Sequence, residues 1–153
     1  MTWKPNVTVA CVAEHAGRFL LVEEREAGRA VLNQPAGHLE EGESLLEAVM
    51  RETFEETGRT FRPSALVGLY RWVHPGSGLT FLRAAFAGEI GAQDPDARLD
   101  PDIVANHWLD REAMLASGLH LRSPLVLYCI DDYLAGRRYP LDLLSDLDTP
   151  ERP

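Results

Sequence analysis

Cysteine is nearly absent from these 153 residues: there are two, Cys11 and Cys129, far apart and each set among apolar neighbours. That excludes a disulfide framework and a cysteine-rich zinc site, and it makes both thiols packing side chains of a core. Positive charge is scarce too. Fifteen Lys and Arg stand against 24 Asp and Glu, a formal net charge of −9, which argues against broad binding to nucleic acid or to an anionic membrane. No apolar stretch reaches transmembrane length, and none near the N-terminus has signal-peptide flanks, so a cytoplasmic protein is expected. Internal repeats and low-complexity segments are missing as well. What remains is 45% hydrophobic, enough for one sizeable core and too short for two ordinary domains. Residues 1–153 therefore read as a single domain, with a flexible tail expected over 149–153.

The informative stretch runs from Gly37 to Gly58. Ser44 with Glu47 three residues later is a capping box before the run Leu45–Thr57, and Gly58 is a stop signal. At about 100° per residue, Leu46, Val49, Met50, Thr53 and Phe54 fall on one side and are expected to be the packed face. Glu52, Glu55 and Glu56 gather on the other with Ala48 among them, where a small side chain leaves room over the acids. Like charges at such spacing cost a helix roughly 0.2–0.5 kcal/mol per pair. A bound hard cation removes that cost. Taken alone, three glutamates are an ordinary solvated face. Their context says more: Glu43 and Arg51 are placed to form a two-pronged ion pair between loop and helix. Gly37 and Gly42 allow unusual backbone angles, so that the Gly37 carbonyl is free to face the same cation.

Elsewhere, residues 7–12 and 18–23 read as strands flanking the turn signal His15-Ala16-Gly17, and are expected to pair as a hairpin. A short strand at 30–32 leads into Asn33-Gln34-Pro35-Ala36-Gly37. Strands at 65–73 and 80–90 are separated by His74-Pro75-Gly76-Ser77-Gly78, and 91–101 reads as a surface loop. Ile103–Leu109 is a strand, Arg111–Ala116 a short helix, and 123–135 a longer one capped by Ser123 with Pro124 in its first turn. Strands before, between and after helices imply an α/β layered domain with a mixed sheet.

The spacing G-x5-E-x7-R-E-U-x-E-E-x-G-U, with U apolar, is the signature of the Nudix hydrolases, and this chain resembles it at Gly37, Glu43, Arg51, Glu52, Glu55, Glu56 and Gly58. Thr53 and Arg59 depart from it, standing where apolar residues are usual. The resemblance implies an α/β/α sandwich and hydrolysis of a phosphoanhydride by water, with Mg2+ or Mn2+ as cofactor. It further implies Glu55 and Glu56 as principal metal ligands, Glu52 as a ligand or activator of water, the Gly37 carbonyl as a supporting ligand, and Glu43 and Arg51 as structural partners of the site. The carboxylate that takes the proton differs among such enzymes. Glu52 and Glu55 are candidates inside the motif. Outside it Asp102, six residues before Trp108, leads, with Asp100 and Glu89 behind it; each is otherwise a plain surface acid.

Arg71, flanked by Tyr70 and Trp72, and Arg83 on the next strand alternate with apolar residues, so that they are expected to project from one sheet face toward a bound phosphate and base. The other reading is an edge strand with solvent-facing arginines. His38 either contacts a phosphate or caps its turn. His15, His74, His107 and His120 lack ligand spacing.

A closer resemblance runs from Lys4-Pro5-Asn6-Val7-Thr8-Val9-Ala10-Cys11-Val12 through Asn33-Gln34-Pro35-Ala36-Gly37-His38-Leu39-Glu40 to Leu121-Arg122-Ser123-Pro124-Leu125-Val126 and Gly136-Arg137-Arg138-Tyr139-Pro140-Leu141. It is to the bacterial NudJ type of the family. This implies removal of a terminal phosphate from nucleoside tri- and diphosphates, or from a thiamine-precursor pyrophosphate, with release of orthophosphate. Partners would be small phosphorylated molecules, with no stable nucleic acid or membrane, and the enzyme a monomer or homodimer. The rivals are an ADP-ribose or dinucleoside polyphosphate pyrophosphatase, which yields a nucleoside monophosphate and a second phosphorylated fragment, and a non-catalytic ligand sensor. Sensors often lack the glutamates present here.

Overall fold

Strand β1 (Asn6–Val12) sets the layering, because its side chains alternate between two cores. Val9 and Cys11 are buried with Ala48 and Val49 of helix α1 (Leu45–Thr57), whereas Ala10 and Val12 are buried with Val126, Cys129 and Ile130 of helix α3 (Leu125–Leu134). Strand β7 (Thr80–Gln93) repeats the pattern, Ala84 and Phe86 facing α1 and Ala85 and Ala87 facing α3. A sheet covered on both faces reads as a near-continuous apolar run, which is why Val7-Thr8-Val9-Ala10-Cys11-Val12 shows little alternation of its own. The computed structural model describes residues 1–147; the expected flexible tail at 149–153 lies outside them.

Two sheets form in place of one. The first has the order β5-β1-β7-β6, with β5 at Ala36–His38 and β6 at Arg59–Val73. Parallel pairing of β1 with β7 beside antiparallel β1–β5 and β6–β7 makes it mixed. The second joins β2 (Glu14–His15), β3 (Arg18–Glu26), β4 (Arg29–Asn33) and β9 (His120–Leu121), with β8 (Ile103–Leu109) on β3. The expected hairpin of 7–12 with 18–23 does not form. Only β2 turns back on β3, while β1 pairs with β5 and β7 in the other sheet. Parallel partners need a long crossover, and no local signal announces a partner as distant as Phe81, which faces Asn6. Strand β6 begins six residues before the expected 65, and β7 continues into the expected loop as far as Gln93.

Helix α1 keeps its expected ends. Ser44 Oγ accepts from the Glu47 N–H at 3.1 Å, Glu47 Oε1 accepts from the Ser44 N–H at 3.2 Å, and Gly58 ends the helix at φ 69°. Its packed face differs from the expected one. Ala48, Val49, Thr53, Glu56 and Thr57 are buried, while Met50 and Phe54 are exposed. The helix is therefore rolled so that Glu56 and most of Glu52 share the inward side while Glu55 stays half exposed, and Ala48 belongs to the core and is not a spacer over a solvated acidic face. The two departures from the motif fit this arrangement: Thr53 Oγ1 donates to the Val49 carbonyl at 2.7 Å, and the Arg59 guanidinium lies over the Trp108 ring at 5.5 Å. Helix α2 spans Arg111–Ala116, and α3 starts at Leu125 with Ser123 Oγ accepting from the Leu125 N–H at 3.2 Å.

Candidate active site

Arg51 is the hub of the α1 end of the site. Its Nε donates to Glu43 Oε2 at 3.0 Å and its Nη2 to Glu43 Oε1 at 2.7 Å, the bidentate pairing that ties the glycine loop to the helix. The same guanidinium donates to the His38 carbonyl at 3.0 Å, to Glu52 at 2.9 Å and to Glu55 at 3.2 Å. Arg51 lowers the pKa of Glu43 through that hydrogen bond, so Glu43 is a fixed anion.

Glu52 and Glu56 are in a different condition. Burial raises the pKa of Glu52 against the opposing pull of Arg51. Glu56 is almost fully buried, accepts from the Ala36 N–H at 2.8 Å, and has its pKa raised to about 9, first by burial and then by the charges of Glu24, Glu52 and Asp100. Its leading charged neighbours are thus all acids. Gly37 lies against Glu52 so closely that a Cβ there would overlap the Glu52 carboxyl group. The absence of a side chain, not an unusual φ, is what this position requires.

These groups open into a cleft of about 430 Å³. Glu26, Glu40, Glu52, Glu56, Asp100 and Asp102 line it, together with Gly37. Aromatic rings line it as well: those of Trp72 and Phe81 lie 5.9 Å apart, His74 stands edge-on to Trp72 at 5.3 Å, and His38 is 6.5 Å from Phe81. Arg83, almost fully buried, is also among its lining residues. Glu55 is half exposed beside Arg51.

Several expected placements need correction. Arg71 and Arg83 do not share a face: Tyr70 is the residue opposite Arg83, Arg71 is opposite Leu82, and Arg71 points away exposed. Tyr70 shares the Arg83 face but donates its hydroxyl to Asp132 at 2.7 Å, packed against the α3 core and outside the cleft. Trp72 takes the place expected of them. Asp102 and Asp100 both reach the cleft. Asp100 is the one that acts on Glu56, and its backbone N–H donates to the Glu55 carbonyl at 2.9 Å. Glu89 is remote, beside Arg62 on the surface.

Sequence reasoning missed Glu24, Asn33 and Arg122. Glu24 is buried on β3, accepts from Asn33 Nδ2 at 3.3 Å and from Arg122 Nη1 at 2.7 Å, and its charge reaches Glu56. Arg122 also meets Glu26 at 3.1 Å. The one signal in the sequence was the recurrence of Asn33-Gln34 and Arg122-Ser123 in the subgroup pattern, with no chemistry attached.

The NUDIX domain family matches residues 2–127 of this chain. The chain belongs to the Nudix family. Phosphatase NudJ of Escherichia coli strain K12 is 44% identical over 148 residues, which is 97% of this chain and 95% of that protein. Among solved structures, a NUDIX hydrolase from Nitrosomonas europaea is 48% identical with a TM-score of 0.92, covering 96% of this chain and 100% of that one. The Escherichia coli ORF135 protein, 22% identical with a TM-score of 0.70 over 88% of this chain and 91% of its own, shares the fold. As a Nudix hydrolase, this enzyme falls in a family that generally uses a divalent metal. Its residues fit such a group: the donors are all hard oxygens, and Glu56 is a buried carboxylate with acidic neighbours. Among the described residues no three acidic, histidine or cysteine side chains already converge as a cage; here Arg51 holds Glu52 and Glu55. Among those residues, too, no helix is long and apolar enough to cross a membrane.

Proposed function

We propose that this enzyme is a magnesium- or manganese-dependent phosphohydrolase of the bacterial cytoplasm. It removes the terminal phosphate of nucleoside di- and triphosphates and of related pyrophosphates of the thiamine-precursor type, and releases orthophosphate. The observation that carries this reading is the buried Glu56, surrounded by acids, in the same cleft as a wall of aromatic rings. A cation-bridged polyphosphate with a planar ring satisfies both the acids and the rings. Likeness to the NudJ phosphatases over almost the whole of both chains supports terminal cleavage.

In this reading Glu55, Glu56 and the Gly37 carbonyl hold the cation, and Arg51 and Glu43 position the loop and helix that carry them. The bound ion neutralises charge on phosphate oxygens and lowers the pKa of water. Glu52, whose carboxyl is lifted above the usual range by burial, receives the proton of the attacking water. Asp100 and Asp102, which line the same cleft, are additional acceptors. Trp72 and Phe81 stack on the substrate ring and keep water from that side. The cleft volume of about 430 Å³ suits a small molecule, and a net charge of −9 disfavours long nucleic acids.

Phosphorus NMR of reactions with ADP, GTP, thiamine diphosphate and ADP-ribose, with and without magnesium, tests the proposal. Magnesium-dependent orthophosphate from the first three is expected. Selective conversion of ADP-ribose to AMP and ribose phosphate would instead make it a pyrophosphatase, and no turnover of any would make it a ligand sensor.

A further inference from the structure

Arg83 is 95% buried by its 5% exposure, yet among the described residues no carboxylate pairs with it. Its Nη1 donates to Gln34 Oε1 at 2.9 Å and its Nη2 to Asn33 Oδ1 at 3.1 Å, both neutral amides. Cys129 Sγ is 4.0 Å from Nη1, and burial raises the pKa of that thiol, so it supplies no negative charge. The Arg83 Nε is buried with no partner at all. The two amides are themselves tied down. Gln34 Nε2 donates to the Val126 carbonyl at 2.8 Å and Asn33 Nδ2 to Glu24. A guanidinium taken out of water with neutral partners and an orphaned donor is expensive, and the fold spends neutral hydrogen bonds on orienting it without discharging it.

Its position says what it awaits. The sheet register aligns His38, Thr8 and Arg83 across β5, β1 and β7, and all three line the cleft that also holds Glu56. One cleft therefore contains a buried acid with acidic neighbours and a buried cation with neutral ones.

We infer that Arg83, oriented by Asn33 and Gln34, is an anchor for a phosphate group, taking the phosphoryl group of the bound substrate and afterwards the orthophosphate released from it. This deepens the proposed function and rests on it for the substrate. Arginine suits the role because its planar fork binds phosphate oxygens in pairs. Removing Arg83 deprives the buried Asn33 and Gln34 amide oxygens of their donor, so an apolar replacement is expected to lose some stability. A purely structural arginine would cost stability when removed but leave the response to phosphate unchanged.

The test is thermal unfolding in magnesium chloride with and without inorganic phosphate, together with steady-state kinetics on ADP. Phosphate is expected to raise the unfolding temperature of the wild-type protein. Arg83→Met, whatever its unfolding temperature in magnesium alone, should gain nothing from phosphate and raise KM for ADP about tenfold or more. Arg83→Lys, which keeps the charge and loses the fork, should retain only part of the phosphate shift, and it serves as the reading if the Met variant does not fold. A wild-type protein unmoved by phosphate, or a shift undiminished in both variants, overturns the inference. Hydrolysis of ADP without an Arg83-dependent phosphate shift defeats the phosphate anchor alone; such a shift without hydrolysis of any phosphoanhydride defeats the hydrolase reading alone.

Discussion

The Glu52 carboxyl group occupies the space that a Cβ on Gly37 would fill. Loop and helix are thereby fitted to each other at the point where the proposed water-activating carboxylate meets a proposed metal-binding carbonyl. Gly37→Ala is expected to lower kcat on the order of a hundredfold, the scale of a misplacement of about 1 Å. Its unfolding temperature should stay near wild type, because the backbone there needs no positive φ. Kinetics beside a melting curve check this; unchanged turnover would mean that the close approach has no catalytic meaning.

Glu56 makes the metal-free protein sensitive to pH. Its folded-state pKa is raised from 4.5 to about 9, so between these values the folded chain keeps a proton that the unfolded chain releases. Stability in EDTA should therefore fall as pH rises from 4.5 toward 9. Glu56→Gln should flatten that decline and also lose the stabilisation given by magnesium. Urea titrations at several pH values, with and without metal, measure both effects.

Arg51 is half-buried, and lysine cannot reproduce its contacts with Glu43, Glu52, Glu55 and the His38 carbonyl. Arg51→Lys should cost about 1.5–3 kcal/mol of stability, the worth of hydrogen bonds to charged groups, and should lower activity through the displaced loop. A urea midpoint equal to wild type would contradict the hub role.

Asp100 and Asp102 both line the cleft, but Asp100 is the one whose charge acts on Glu56. Asp100→Asn is expected to reduce kcat/KM more than Asp102→Asn does. Parallel kinetics at saturating magnesium decide the order.

Phe54 is 41% exposed, so Phe54→Ala should cost less than about 1 kcal/mol, against about 3–5 for a buried phenylalanine. Calorimetry of this variant separates the two faces of α1.

That helix also shows where the sequence was legible and where it was not. Its caps are local, four residues or fewer apart, and Ser44, Glu47 and Gly58 do in the structure what their spacing implied. Which side faces inward depends on tertiary packing. The usual assumption that the more apolar side is buried fails here because a functional site keeps Glu56 inside and leaves Met50 and Phe54 out. Strand parity failed for a similar reason. Whether Tyr70 or Arg71 stands opposite Arg83 is a matter of register between β6 and β7, which has shifts along its length. Glu24 and Arg122 meet across two sheet strands and a loop, a contact that no short-range pattern encodes.

The most direct test of the central claim is hydrolysis of ADP by the magnesium-loaded enzyme in 18O-labelled water, read by phosphorus NMR or mass spectrometry of the products. Attack on the terminal phosphorus predicts label in orthophosphate and unlabelled AMP, with no reaction in EDTA. Label in AMP would place the attack on the inner phosphorus and contradict the account.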